Sequence, residues 1–187
     1  MSRITTSHES AERFTTGTVG LPGERTFFLQ ARSQGALSSV VVEKTQVQAL
    51  SDRLKTLIRE LQISGEASLD ELSVSHNKDL APLDFPLEED FRVGIIGISW
   101  DSAIQRIIVH IQAMAGEEIE EVLDDSQALE IEDAPDIVIV WLRIHQARTF
   151  IQRTEAVVSS GRQVCPFCGL PINVEGHLCP RANGYRR

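Results

Sequence analysis

The hydrophobic residues of this chain fall into six short runs with partial alternation and two longer stretches with helical spacing. The short runs are rich in Val, Ile and Phe, which favours half-buried strands, and the longer stretches favour amphipathic helices. Turn residues at 33–35 and 100–102 predict hairpins. The predicted strands are 14–20, 25–32, 36–43, 91–97, 103–114 and 136–143, and the predicted helices cover about 45–62 and 145–160.

Each predicted helix carries one apolar face. In the first helix, Thr45 is followed three residues later by Gln48, which predicts a capping box at its start. An apolar face of this kind predicts that the helix covers a sheet. The apolar positions are Val47, Leu50, Leu54, Leu57, Ile58 and Leu61 in the first helix, and Ala147, Phe150, Ile151, Thr154 and Val158 in the second.

The two halves of the chain have the same order of predicted elements. "FTTGTVG" (14–20) and "FRVGIIG" (91–97) both read F-x-x-G-x-x-G, and the helices correspond at an offset of 100, with Gln46 matching Gln146. The similarity is short, so a chance match is the alternative. We interpret the chain as an α+β fold of two βββα-like repeats, which form a mainly antiparallel, pseudo-twofold sheet of about six strands with two helices.

This interpretation divides the chain into four parts. Residues 1–63 hold the first repeat, and we expect its first residues to be flexible. Residues 64–90 form an acidic linker whose prolines break regular structure. Residues 91–161 hold the second repeat, with an acidic loop at 117–136 that is either solvated or disordered, or else partner-binding. Residues 162–187 form a tail that contains every cysteine of the protein.

The composition is that of a soluble globular protein, but its charge is unevenly distributed. The chain has 187 residues, 42% of them hydrophobic, and a net charge of −9. Residues 64–90 and 117–136 hold eighteen acids and one lysine, a charge of −17, which leaves +8 for the other residues. The net charge therefore does not exclude an anionic partner. No apolar run has the length of a membrane span, and no signal-peptide core begins the chain, so we expect a cytoplasmic protein with no membrane partner.

The cysteines of the tail have the spacing of metal ligands. They form the pattern Cys165-x2-Cys168-x8-His177-x-Cys179. Tetrahedral Zn²⁺ takes four such ligands, and a Cys-x2-Cys turn directs both thiolates inward. A structural zinc clip is the interpretation that we favour. A redox dithiol, a catalytic zinc and a site without metal are the alternatives, although four protein ligands leave no open position for catalysis.

The residues that follow the ligands, "PRANGYRR", are basic and include a tyrosine. One interpretation is that this strip docks on the acidic stretches of its own chain. The other is that it binds RNA or a protein partner, although three arginines are few for nucleic-acid binding. The predicted partner-binding residues are Arg181, Asn183, Tyr185, Arg186 and Arg187.

No catalytic arrangement follows from the spacing of the reactive residues. The glycines of 17–23 are followed by no helix, which disfavours a phosphate-binding loop, and those of 94–97 favour close packing or bulges. We therefore predict no catalytic residue. The histidines outside the tail, which we interpret as structural or exposed, are His8 in the flexible start, His76 in the linker, His110 in a strand and His145 near a helix start.

Two stretches of the sequence resemble a known family. "RFTTGTVGLPGERTFFLQAR" and "CPFCGLPINVEGHLCPRANGYRR" resemble an uncharacterised actinobacterial family, the domain of unknown function 3090, over nearly the whole chain. The family implies no assigned activity. Its members tend to be found near genes for a histidine-type phosphatase and a lipid-kinase-like protein, which hints at a shared pathway. The resemblance supports the zinc interpretation and implies a cytoplasmic bacterial protein.

Three functions are open at this point. The favoured one is a non-enzymatic interaction or adaptor module that contacts a protein partner through its zinc tail. The second is an RNA- or DNA-binding protein, whose affinity would fall steeply with salt. The third is an enzyme that acts on a phosphorylated metabolite in a cleft between the halves, which requires a concave polar pocket. The basic helix residues that the second function would use are Arg53, Lys55, Arg59, Arg148 and Arg153.

Overall fold

The computed structural model of the chain describes residues 3–21, 23–115, 135–160, 165–168, 172, 179 and 181. In these residues the fold is α+β, with one mainly antiparallel sheet, as predicted, and three helices. The strands are β1 (Thr5–His8), β2 (Arg13–Val19), β3 (Thr26–Ser33), β4 (Ala36–Val42), β5 (Phe91–Asp101), β6 (Arg106–Ala113) and β7 (Ile137–Leu142). The helices are α1 (Lys44–Ser64), α2 (Leu69–Ser73) and α3 (Ile144–Ser159).

The strands follow the order β1-β7-β6-β5-β4-β3-β2 across the sheet. All neighbours are antiparallel except β1 with β7 and β4 with β5. A two-fold axis through the middle of an open sheet would place equivalent strands of the halves side by side. Instead, the last strand of the first half, β4, pairs in parallel with the first strand of the second half, β5, over two residues. The strand order β2-β3-β4 of the first half is therefore followed across the sheet by β5-β6-β7 of the second, without the reversal that such an axis would produce.

The main core lies between the inner face of the sheet and helices α1 and α3. Side chains from both halves and both helices belong to one buried cluster, because alternate strand residues face the helices. Phe14 of β2 stacks on Phe150 of α3 with 4.7 Å between ring centroids. The largest fully buried apolar side chains include Leu29, Leu54, Ile107, Ile111, Leu142, Ile144 and Phe150.

The start of the chain is an ordered strand, so the predicted flexible start is wrong. β1 pairs with β7, and His8 at its end is 0% exposed. The His8 ring forms hydrogen bonds with the hydroxyls of Ser33 (Nδ1–Oγ 2.7 Å) and Ser38 (Nε2–Oγ 2.9 Å). Ser33 and Ser38 belong to β3 and β4, which are far from β1 in the strand order. These bonds therefore require a strongly curved sheet that brings β1 close to β3 and β4. The sheet therefore has seven strands and not the six that we predicted.

Both long helices begin with a glutamine that bonds the backbone of the capping residue. In α1 this glutamine is part of a capping box that joins Glu43 and Gln46, not Thr45 and Gln48 as predicted. In α3, Gln146 bonds the backbone of Arg143, whose guanidinium has no acceptor atom to complete a box. In each case the glutamine Oε1 accepts a hydrogen bond from the backbone N–H of the capping residue. This arrangement fixes the first turn of the helix and leaves the glutamine Nε2 group free to donate elsewhere.

Each long helix uses that Nε2 group to bond the backbone of the other half. Gln46 of α1 donates to the carbonyl of Gly94 in β5 at 3.0 Å. Gln146 of α3 donates to the carbonyl of Ala11, just before β2, and Arg153 of α3 donates to that of Thr16 in β2 at 3.0 Å. Exposed carbonyls of a strand edge are a liability, and Arg153 satisfies one on the edge strand β2. The two halves are thus interlocked through their helices.

The order βββα occurs twice, but the two F-x-x-G-x-x-G motifs do not occupy equivalent positions. Gly17 pairs with Phe28 in the β2–β3 hairpin, whereas Ser99 holds the corresponding position opposite Ile108 in the β5–β6 hairpin. Gly94 instead lies at a β-bulge, where an added Cβ would meet Met114 Cα at 2.8 Å. The glutamine positions match at the predicted offset and the glycine motif does not. Common origin of the halves stays a prediction.

The acidic linker packs on the sheet. After the short helix α2, residues 74–90 cross the outer face of β2–β3–β4, where Leu83 is buried against Phe28 and Val41. The Gln30 side chain bonds both the N–H and the carbonyl of Asp84, at 2.8 and 3.0 Å. The linker is therefore a structural part of the first half.

Candidate metal centre

Three cysteine thiols from two parts of the tail converge on one point. The Sγ atoms of Cys165, Cys168 and Cys179 all lie within 4.8 Å of one another. Cys165 and Cys179 are buried, and Cys168 is half-buried. The Cys165–Cys179 Sγ distance is 3.7 Å, well beyond the roughly 2.05 Å of a disulfide. The residues between the first two cysteines form a turn, as the Cys-x2-Cys spacing predicts.

This separation of sulfur atoms fits a tetrahedral metal ion. With Zn–S bonds of about 2.3 Å, tetrahedral geometry places two thiolate sulfurs about 3.8 Å apart. The observed 3.7 Å between Cys165 and Cys179 matches that value. A site with three sulfur ligands and one nitrogen ligand is among the structural donor sets that Zn²⁺ prefers. The thiols that the structure describes thus fit a zinc site.

The surroundings of Cys165 favour its thiolate. Burial of this thiol disfavours the charged form, but hydrogen bonds from the backbone of Cys168 and Phe167 and contacts with the other two thiols outweigh burial. The pKa of Cys165 therefore lies below its ordinary value. A thiolate, and not a thiol, is the form that binds a metal.

The fourth predicted ligand, His177, lies outside the described residues, as do Asn183, Tyr185, Arg186 and Arg187 of the basic strip. Of that strip the structure describes Arg181, whose guanidinium donates to the carbonyl of Phe167 at 3.3 Å. This bond links a residue two positions after Cys179 to the turn between the first two cysteines. Three of the four predicted ligands are thus brought together.

Four of the five basic helix residues that we considered for nucleic acid bind partners within the protein. Arg148 donates to the carbonyl of Leu72 at 2.8 Å, and Arg153 donates to that of Asp79 at 3.0 Å. These two cations hold the linker against α3. Lys55 lies between Asp52 and Glu155 at 3.1 and 3.0 Å, and Arg53 is 3.5 Å from Glu60. The positive charge that we considered for nucleic acid is thus largely engaged by the protein itself.

A concave polar groove lies where β2, α3 and the linker meet. Its volume is about 530 Å³, and Arg13, Lys78, Asp79, His145 and Thr149 are among the residues that line it. Arg13 is paired with Asp79, which it contacts through Nε at 2.9 Å. Burial of Asp79 disfavours its carboxylate, but the hydrogen bonds from Arg13 outweigh this, and the pKa of Asp79 is lowered. Burial also lowers the pKa of His145, although Glu71 nearby opposes the shift.

Sequence reasoning missed the ion pairs that hold the linker. Arg13 and Arg32 both donate to Asp84, at 2.8 and 2.9 Å, and Arg13 also holds Asp79. The acid of the linker is therefore partly neutralised by arginines that lie more than fifty residues earlier in the sequence. Nothing in the local pattern marks these pairs, since their partners meet only when the sheet has formed.

Comparison with known proteins assigns the chain to a family without assigning an activity. No curated protein and no solved structure gave a match. Among the helices that the structure describes, none has the length and apolar character needed to cross a membrane. A family model described as "Protein of unknown function (DUF3090)" matches residues 6–179, from β1 to the last cysteine of the candidate metal centre. The chain therefore belongs to the DUF3090 family.

Proposed function

We propose that this protein is a non-enzymatic interaction module whose tail is organised by a structural Zn²⁺ ion. Cys165, Cys168 and Cys179 hold the ion, with His177 as the fourth ligand. The observation that carries the proposal is the convergence of three thiols with a sulfur separation of 3.7 Å. Four protein ligands leave no open coordination position, so the ion orders the tail and does no chemistry.

A metal is needed because the tail is too short to build a core of its own. Among the described residues, no tail side chain belongs to either hydrophobic cluster of the body. Binding of structural zinc would supply the folding free energy that such a segment lacks. The ordered tail then presents the strip that contains Arg181, Asn183, Tyr185, Arg186 and Arg187 to a protein partner in the cytoplasm.

The tail is a better contact element than the helices. Arg148, Arg153 and Lys55 already bond groups of the same chain. A partner that used these side chains would first have to break those bonds. Arg181 of the strip bonds a carbonyl of the tail itself, that of Phe167, so a partner at the tail need not break the contacts that hold the body. This favours a protein partner at the tail over nucleic acid on the helices.

The metal is tested by measuring zinc in purified, reduced protein by native mass spectrometry. We expect one zinc ion per chain, and its loss in Cys168→Ser and in His177→Asn. His76→Asn, a substitution in the linker, is the matched control and should retain the ion. Reduced full-length protein that binds no zinc at micromolar concentration would refute the metal centre.

The contact function is tested by capture from native cytoplasm, with and without nuclease. Full-length protein is compared with a chain that ends at Gly161, whose core clusters are complete without the tail. Capture of a protein by the full chain alone, resistant to nuclease, supports the module. Equal capture by both chains would contradict it, and nuclease-sensitive capture would favour the nucleic-acid function.

The groove supports a second candidate function, an enzyme that acts on a phosphorylated metabolite. The observation in its favour is the concave polar surface lined by Lys78 and His145. Inorganic phosphate and sugar phosphates should then raise the melting temperature of the protein. Lys78→Ala should abolish this rise, while Lys55→Ala, which changes a lysine on α1, should not. No shift with any of these anions would remove the candidate.

A further inference from the structure

The outer face of the second half of the sheet carries five apolar side chains among Ser99, His110 and Gln112. We call the residues Ile95, Ile108, Met114, Ile139 and Trp141 the second outer face. Ile95 is 66% exposed and Met114 60% exposed, and the other three are half-buried. None of the five belongs to a hydrophobic cluster of the described residues. Apolar side chains grouped on one face among polar ones are typical of a contact site.

The corresponding face of the first half is covered by the linker. Leu83 packs against Phe28 and Val41, and the Gln30 side chain bonds both the N–H and the carbonyl of Asp84, the next linker residue. The register of the sheet identifies the same positions in the second half. Phe27 pairs with Val42, the residue before the cap of α1, and Ile107 pairs with Leu142, the residue before the cap of α3. Ile108 and Trp141 therefore occupy the positions that Phe28 and Val41 occupy in the first half.

The segments that follow the two long helices also start from corresponding places. After α1, the backbone N–H of Ser68 donates a hydrogen bond of 2.8 Å to Gln105 Oε1, which lies in the β5–β6 turn. After α3, the carbonyl of Ser160 accepts a hydrogen bond at 3.0 Å from Arg25, which precedes β3 in the β2–β3 connection. The linker reaches the outer face of the first half nineteen residues after α1 ends, at Leu83. Twenty-seven residues follow Ser160, which is enough to reach the second outer face by the corresponding path.

We propose that the C-terminal tail, residues 162–187, docks on the second outer face of its own chain. The proposal rests on the zinc centre proposed above, which would fold the tail into the docking shape. Between its ligands the tail carries Leu170, Ile172 and Val174, apolar side chains that suit an apolar surface. The acidic loop 117–136 carries ten acids and no base, which makes it a poor cover for apolar side chains. Docking would give the basic strip a fixed position from which to meet its partner.

Trp141 reports on this contact. The protein is labelled with 5-fluorotryptophan, and the ¹⁹F resonances of its two tryptophans are assigned with Trp141→Phe and Trp100→Phe. Three states are compared: zinc-loaded full-length protein, the same protein after chelation, and the chain that ends at Gly161. We expect the Trp141 resonance to shift and to become more accessible to a soluble paramagnet when the tail is removed or its metal is chelated. Trp100, which packs against the main core, is the internal control and should not change.

Three outcomes overturn the docking, and a fourth separates it from the metal centre. A Trp141 resonance that is the same with and without the tail means that the tail lies elsewhere, even if zinc binds as proposed. A change on replacing loop 117–134 by a short glycine-serine segment, without a change on truncation, assigns the face to the loop. A signal that depends on protein concentration assigns it to a second copy. If the protein binds no zinc but truncation still moves the Trp141 resonance, docking stands and the metal centre fails.

Discussion

The close packing of Leu83 on Gly17 tests whether complementary shape holds the linker on the sheet. Leu83 is 8% exposed on the outer face of the first half, and Gly17 of β2 lies directly beneath it. A Cβ added at Gly17 would lie 2.7 Å from Leu83 Cγ and 2.8 Å from Cδ2, too close for either atom to stay in place. Gly17→Ala should therefore push the leucine from its site, and Leu83→Ala should empty it.

The expected sizes follow from the geometry. Leu83→Ala should cost about 2 kcal/mol of unfolding free energy, the low end for a buried leucine, because only a small cluster surrounds it. Gly17→Ala should cost about 1–3 kcal/mol through overpacking. In the Leu83→Ala background the collision is absent, so Gly17→Ala should then be close to neutral. The coupling between the two substitutions should therefore be about 1–3 kcal/mol, the whole cost of Gly17→Ala.

Urea unfolding of the zinc-loaded protein, followed by tryptophan fluorescence, measures all four members of this cycle. Leu80→Ala is the matched control, because this linker leucine is 80% exposed and its loss should cost less than about 0.5 kcal/mol. A lower denaturant slope in Leu83→Ala would mean that the linker has already detached from the native sheet. If Gly17→Ala costs the same with and without the Leu83 side chain, the contact does not hold the linker and the reasoning is wrong.

Three further predictions test other parts of the fold. Asp84→Asn should cost about 1–3 kcal/mol in urea unfolding, because the carboxylate binds both Arg13 and Arg32, whereas Glu88→Gln should change little. Gly94→Ala should be clearly destabilising and Gly97→Ala tolerated in thermal melts, since an added Cβ would meet Met114 Cα at 2.8 Å in the first case and no atom closer than 3.8 Å in the second; equal effects would argue against the bulge. Burial lowers the pKa of His8 from its ordinary 6.5, although Asp90 opposes the shift. The unfolded chain therefore takes up a proton at a higher pH than the folded protein, and the unfolding free energy should fall as the pH drops below 6.5. His8→Gln should flatten this decline, with the remainder due to His145, whose pKa is also lowered.

Patterns along the chain predicted the elements that carry a strong hydrophobic period. The strands around Phe28 and Val109 and both long helices lie within a few residues of their predicted bounds. The turn at 33–35 follows from its glycine, and both Gln34 and Gly35 have positive φ. Local propensity and burial agree at these positions, so a local rule suffices to find them.

Elements stabilised by distant polar partners were not predictable in the same way. β1 reads Thr-Thr-Ser-His, which contains no apolar residue, and it is a strand because β7 pairs with it and two serines bury His8. The sequence predicted an irregular acidic linker at 64–90, because its acids are near one another in sequence and the arginines that bind them are not. In the tail, ligand spacing was enough to predict three converging thiols, since metal geometry is itself a local constraint.

Of the described helices, α3, which covers the edge of β2, is made last. Arg153 of α3 bonds Thr16 of β2 across 137 residues of sequence, and Gln146 bonds Ala11, just before β2, across 135. At about 5–20 residues per second of synthesis, the edge of β2 stays bare for about 7–27 s after it has left the peptidyl-transferase centre. The nascent chain thus carries an open strand edge through most of its own translation, and premature termination before residue 144 would release a protein able to pair with its neighbours.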